Sequence, residues 1–161
     1  MKRTLPTVAA AMLMTAQVKA AVVDAELVRS IAWAESRNKD IKGKAGEVSP
    51  LQMREIAVHQ AERWMAYQAK RSPAMALSWI IFQRFPLSRE IYAIAYLDWL
   101  NLQYWIEHGE NPTTRQLVML WNAPELSKRR KFKLSAMPKS TRELVARFEK
   151  RYAELGKEQA R

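Results

Sequence analysis

The feature that most constrains this chain is a helical spacing of apolar residues from about residue 24 almost to the C-terminus, broken chiefly by proline and glycine. Only four glycines occur in 161 residues, which argues against a β-rich, turn-rich design. Asp24 is placed to cap a first helix reaching about Arg37, with Leu27, Val28, Ile31 and Ala34 as its apolar stripe. The polar stretch 38–48, with Gly43 and Gly46, reads as a loop with room for at most a small β-hairpin. Pro50 suits the first turn of a second helix carrying Leu51, Ala57, Ala61, Trp64 and Met65.

Ser72-Pro73 ends that helix, and a short apolar helix over 74–83 stops at Phe85-Pro86. Ser88 starts a long helix to about His108, striped by Ile91, Ile94, Ala95, Leu102 and Ile106, with Gly109 where a C-terminal cap belongs. Thr113 with Gln116 fits a capping box and opens a helix with Leu117, Leu120 and Trp121. A basic loop containing Lys128-Arg129-Arg130-Lys131 follows. Ser140 with Glu143 is a second capping-box pair, opening a last helix with Leu144, Val145, Phe148, Tyr152 and Leu155. The expected class is all-α, in one domain over 21–161, since no repeat or low-complexity linker divides it.

Residues 1–20 read as an export signal. Lys2 and Arg3 form a positive head, the apolar run Leu5–Ala16 is too short to span a bilayer stably, and Val18-Lys19-Ala20 offers small residues at a cleavage site. The alternative is an N-terminal amphipathic helix or anchor. After cleavage no stable membrane span is expected, and the location is periplasmic or secreted. The net charge of +11 draws a protein toward polyanions. For a cytosolic chain the first thought is nucleic acid. For an exported one the anionic cell envelope is the better partner, and nucleic acid is not expected. Cysteine is absent, which excludes thiol catalysis and cysteine-ligated metals. His59 and His108 stand apart without acidic or histidine partners at ligand spacing, and no phosphate-binding glycine loop occurs, so neither metal nor cofactor is expected.

Glu35 is the residue that needs explaining. Leu27, Ile31 and Glu35 lie at i, i+4 and i+8, so a carboxyl continues an apolar stripe just before the loop. Partial burial disfavours the ionised form, and a carboxyl still protonated near neutral pH can give its proton to a leaving oxygen. The plainer reading is a solvated glutamate at a helix end, paired with Arg29 or Lys39. Periodicity alone favours that one.

The surrounding residues point the other way. Ile31-Ala32-Trp33-Ala34-Glu35-Ser36-Arg37-Asn38, then Gly46-Glu47-Val48-Ser49-Pro50-Leu51-Gln52-Met53, then Tyr92 to Leu97, then Trp121-Asn122-Ala123-Pro124 occur in this order. The set resembles the lysozyme-like superfamily, in particular lytic transglycosylases and phage-type muramidases, over about residues 24–152. Each motif is weak by itself; four in order and spacing are fairly specific. The resemblance implies a lysozyme-like fold and a peptidoglycan-cleaving enzyme acting on the MurNAc–GlcNAc bond. It implies Glu35 as general acid and then base, and Ser36 as a residue orienting it or the substrate. It implies Gln52 at the sugar near the scissile bond, Trp121 at the cleft wall, and Asn122 holding that turn or binding substrate. Ser49, before the Leu-Gln pair, and Tyr96, on the long helix, complete the candidate substrate-binding set. The small size suits a specialised enzyme serving a secretion, conjugation or phage assembly.

Ser49 stands where the family has glycine, and Ala123-Pro124 lacks the family's glycine. Those departures motivate the alternative of a non-catalytic wall-binding protein on the same scaffold. A second carboxylate is not obvious: Asp40 and Glu47 lie in the loop, and Glu47 is the candidate for a base that activates water, as a hydrolytic muramidase requires. A lytic transglycosylase needs none, because the sugar's own 6-hydroxyl attacks and leaves a 1,6-anhydro end. Trp33, Trp64, Trp79 and Trp99 read as core, and Tyr96, Trp105 and Trp121 as candidates for stacking on sugar.

Overall fold

A computed structural model describes residues 23–39 and 46–159 of the chain. The proposed signal segment and Asp40 lie outside the described residues. Among these, the fold is all-α: α1 (Ala25–Ser36), α2 (Glu55–Gln68), α3 (Met75–Arg84), α4 (Pro86–His108), α5 (Thr114–Asn122), α6 (Pro124–Arg129) and α7 (Lys139–Gln159), with a short 3-10 turn at Leu134–Ala136. The β-structure among the described residues is a single antiparallel bridge, Val48 to Met53.

Several helix ends follow local chemistry. The Asp24 side chain accepts a hydrogen bond from the Leu27 amide at 2.7 Å, capping α1. Thr113 and Gln116 form a complete capping box on α5, and Gly109 closes α4 at φ 74°. Four expectations are corrected. Pro50 and Leu51 sit in a turn, and α2 starts only at Glu55. Helix α4 begins at Pro86 rather than Ser88, because proline at the first helical position lacks only an amide that would go unpaired. Lys128 and Arg129 belong to the last turn of α6, not to a loop. Ser140 lies inside the first turn of α7, so it caps nothing.

Helix α4 is the hub. It packs against α1, α2, α3 and α5, and α1 and α5 both rest on α7. Of the expected α4 stripe, Ala95 is buried and Ile94 packs on the core, whereas Ile91 and Ile106 are 58% and 61% exposed. The buried positions are Tyr92, Ala93, Ala95, Leu97, Leu100, Asn101 and Tyr104. A helix apolar on most of its surface does not show in its own sequence which faces its neighbours will cover. The core joins Leu27 and Ile31 of α1 to Val58, Phe82, Leu97, Leu117, Val118 and Phe148. Burying each such side chain contributes roughly 1.5–3 kcal/mol. This core places the C-termini of α1 and α5 and the middle of α4 around one opening.

Candidate active site

Helix α1 delivers Glu35 one residue before its end. Leu27 and Ile31 anchor the same face in the core at 0% and 1% exposure, so the face runs from dry interior to cleft floor at Glu35. The helix then stops abruptly. Arg37 turns left-handed at φ 57°, its amide bonds the Trp33 carbonyl, and its guanidinium lies 3.8 Å over the Trp33 ring.

The turn after the loop is pinned to this helix end. The Ser36 hydroxyl lies 2.8 Å from the Pro50 carbonyl and 3.1 Å from that of Ala32. The Val48 amide donates to the Met53 carbonyl at 3.0 Å. Between them Ser49 and Gln52 adopt left-handed backbones, at φ 72° and 50°. The Ser49 hydroxyl accepts from the Leu51 amide at 3.2 Å, and the Gln52 amide side chain donates to the Ser49 carbonyl at 2.7 Å. Ser49 thus takes the conformation for which glycine is the usual residue, and its own hydroxyl helps hold it there.

The opening is a cleft of about 390 Å³ lined by Glu35, Glu47, Gln52, Tyr96, Trp121 and Asn122, with Met53, Arg54, Ile56, Ala57 and Pro124 completing its walls. Six of the expected site residues therefore converge. Ser36 and Ser49 are outside the lining: both are buried, and their hydroxyls bond backbone groups of the turn, Ser36 the Pro50 carbonyl and Ser49 the Leu51 amide. Trp105 is not among the residues that line the cleft. Trp64, Trp79 and Trp99 pack on the core. Tyr96 stacks on Trp99 at 5.7 Å and meets Trp121 edge-on at 5.6 Å, forming an aromatic wall.

Electrostatically, Glu35 is the unusual group. Burial raises its carboxyl from the ordinary 4.5 to about 7, against hydrogen bonds from the Asn122 and Trp121 side chains and the positive charge of Arg147, which all favour ionisation. The negative charge of Glu47 adds to the rise. The groups acting on Glu35 are these, rather than the Arg29 or Lys39 of the solvated reading. Burial also raises the Tyr96 phenol, against the charge of Arg54. The site therefore holds a carboxyl that is half protonated near pH 7, beside an aromatic wall and an amide.

Two contributors were not anticipated, both on α7. The Arg147 side chain donates to the Ala34 carbonyl at 2.9 Å, tying α7 to the last turn of α1. The buried Thr141 hydroxyl donates to the Asn122 side-chain oxygen at 2.8 Å. Their positions carry no local signal, because they lie more than a hundred residues from Glu35 in the chain. Among the described residues no group of three or more His, Cys, Asp or Glu is arranged to hold a metal ion, and no helix is long and apolar enough to cross a membrane.

The fold and site together define an all-α protein with one desolvated carboxyl at the floor of an aromatic-walled cleft. Compared with known proteins, the chain matches no protein-family model, no curated protein and no solved structure.

Proposed function

We propose that this protein cleaves the MurNAc–GlcNAc β-1,4 bond of peptidoglycan as a lytic transglycosylase, with Glu35 as its single acid/base. The observation that carries the reading is Glu35 itself: a carboxyl raised to about 7, on the floor of a cleft walled by Tyr96 and Trp121. At neutral pH a large fraction of such a carboxyl is protonated and donates to the glycosidic oxygen as that bond breaks. The resulting carboxylate is stabilised by the Asn122 and Trp121 side chains and the positive charge of Arg147, which all favour the ionised form. It then takes the proton of the 6-hydroxyl as that oxygen attacks the anomeric carbon, closing a 1,6-anhydro ring. Tyr96 and Trp121 border the opening as aromatic groups for the sugar, and Gln52 and Asn122 offer polar groups beside them.

On this reading the protein works at the cell envelope after export, consistent with the positive head and short apolar run at its N-terminus. The wall's carboxylates suit a basic chain, whose charge of +11 becomes 11 − 3 = +8 once Lys2, Arg3 and Lys19 leave with the signal. A hydrolytic muramidase is the second reading, favoured by Glu47, which lines the same cleft and adds to the Glu35 rise. There Glu47 activates a water on the far side of the sugar.

Digestion of purified peptidoglycan with mass spectrometry of the released muropeptides tests both. Anhydro ends are expected from the wild type, and Glu35→Gln is expected to lose at least about a hundredfold in rate. Reducing ends, lost in Glu47→Gln, establish the hydrolytic reading instead. Binding of glycan without release of product from the wild type rejects both in favour of a wall-binding protein.

A further inference from the structure

Asn122 is an asymmetric donor. Its side chain has an oxygen that only accepts and a nitrogen that only donates, so its usefulness to a carboxylate depends on which end faces it. Glu35 is stabilised only if the nitrogen faces the cleft. The selector is Thr141: its hydroxyl, 2.8 Å from the Asn122 oxygen, supplies the donor that this oxygen needs. Thr141 is 2% exposed in the first turn of α7, so water has little access to take its place. Asn122 itself is the last residue of α5, and the next residue leaves the helix at φ −149°.

We propose that Thr141 is a positioning residue for the acid/base: by donating to Asn122 it locks the amide with its N–H toward Glu35. The proposal rests on the reading of Glu35 as the catalytic carboxyl for its consequence, though not for its geometry. The charged and titratable groups around Glu35 are Arg147 from α7, Glu47 from the loop, and Tyr96 and Arg54 at the same cleft. The Thr141 hydroxyl is bonded to Asn122, so removing it acts on Glu35 through that amide. Without that hydroxyl the amide turns freely, donation to the carboxylate weakens, and the carboxyl holds its proton to higher pH.

The test titrates Glu35 directly, by the 13C shift of its labelled side-chain carboxyl, in the wild type, Thr141→Val, Thr141→Ser and Thr141→Ala. Thr141→Val is expected to raise the midpoint by about one pH unit, the scale of one donor lost from a carboxylate. The alkaline limb of peptidoglycan cleavage moves up with it. Thr141→Ser restores both, while Thr141→Ala, which needs no new volume to be packed, repeats the Val result. In an Asn122→Ala background Thr141→Ala no longer shifts Glu35. A folded Thr141→Val or Thr141→Ala protein with the wild-type midpoint overturns the proposal. So does a Thr141→Ser protein as shifted as Thr141→Val, or a full shift in the Asn122→Ala background. Because the titration needs no turnover, a wild type that cleaves nothing overturns the enzymatic reading while the midpoints still decide the role of Thr141.

Discussion

If Glu35 is a desolvated carboxyl, the protein carries a stability cost that appears only when that carboxyl ionises. Its value is 4.5 in the ordinary state and about 7 in the fold. Between these two values the folded protein binds the proton and the unfolded chain releases it, so stability falls as pH rises. The contribution is therefore fully present below about pH 4.5, is lost as pH climbs to about 7, and changes no further above that. At about 1.4 kcal/mol per pH unit, the rise amounts to roughly 3 kcal/mol. Glu35→Gln removes the titration while keeping the shape of the side chain. Urea denaturation of wild type and Glu35→Gln at pH 4.5 and pH 8 isolates the effect, because every other titrating group cancels in the difference between the two proteins. The wild type is expected to lose about 3 kcal/mol more than the variant over that range, about 6–12 °C in Tm for a chain of this length. Parallel pH dependence of the two proteins refutes the argument: it means that Glu35 is solvated, and the case for it as a proton donor near neutrality falls with it.

Other perturbations probe the supports of the site. Arg147→Met removes both a donor to Ala34 and a positive charge near Glu35, so the Glu35 titration and the alkaline limb of activity move to higher pH, with about 1 kcal/mol lost on urea unfolding. Ser49→Val forces a β-branched residue into a buried left-handed position and deletes the acceptor for the Leu51 amide; about 2–3 kcal/mol of stability is lost, read from the urea midpoint. Phe148→Ala opens a cavity where α7 meets the core, costing about 3–5 kcal/mol and lowering Tm correspondingly in a calorimetric scan.

Local signals carried far where the physics was local. The Asp24 cap, the Thr113–Gln116 box and the Gly109 stop all depend on groups within four residues, and all three stand as the sequence implies. The spacing Leu27, Ile31, Glu35 likewise marks a carboxyl on an inward face. Signals failed where a residue had more than one use. Pro50 suits a helix start and a turn equally well, and the bridge between Val48 and Met53, with Ser36 reaching the Pro50 carbonyl, selects the turn. Ser140 with Glu143 matches a capping pattern but falls inside a helix that had already begun. Ser36 and Ser49 sit among the site motifs in sequence, yet their hydroxyls are spent on backbone groups behind the cleft.

From the sequence by itself came the all-α class, most of the helix limits and the suspicion attached to Glu35. These depend on periodicity, caps and breakers, each complete within a few neighbouring residues. Only the tertiary structure decided that Glu35, Gln52, Tyr96, Trp121 and Asn122 share one cleft, and that Thr141 and Arg147 reach them from the last helix. The reason is distance: Glu35 leaves its ordinary value through burial and is pulled partly back by Asn122, Trp121 and Arg147, on α5 and α7, elements that no stretch of chain around residue 35 contains. A carboxyl's place on a helix is written locally, but its proton affinity belongs to whatever folds over it.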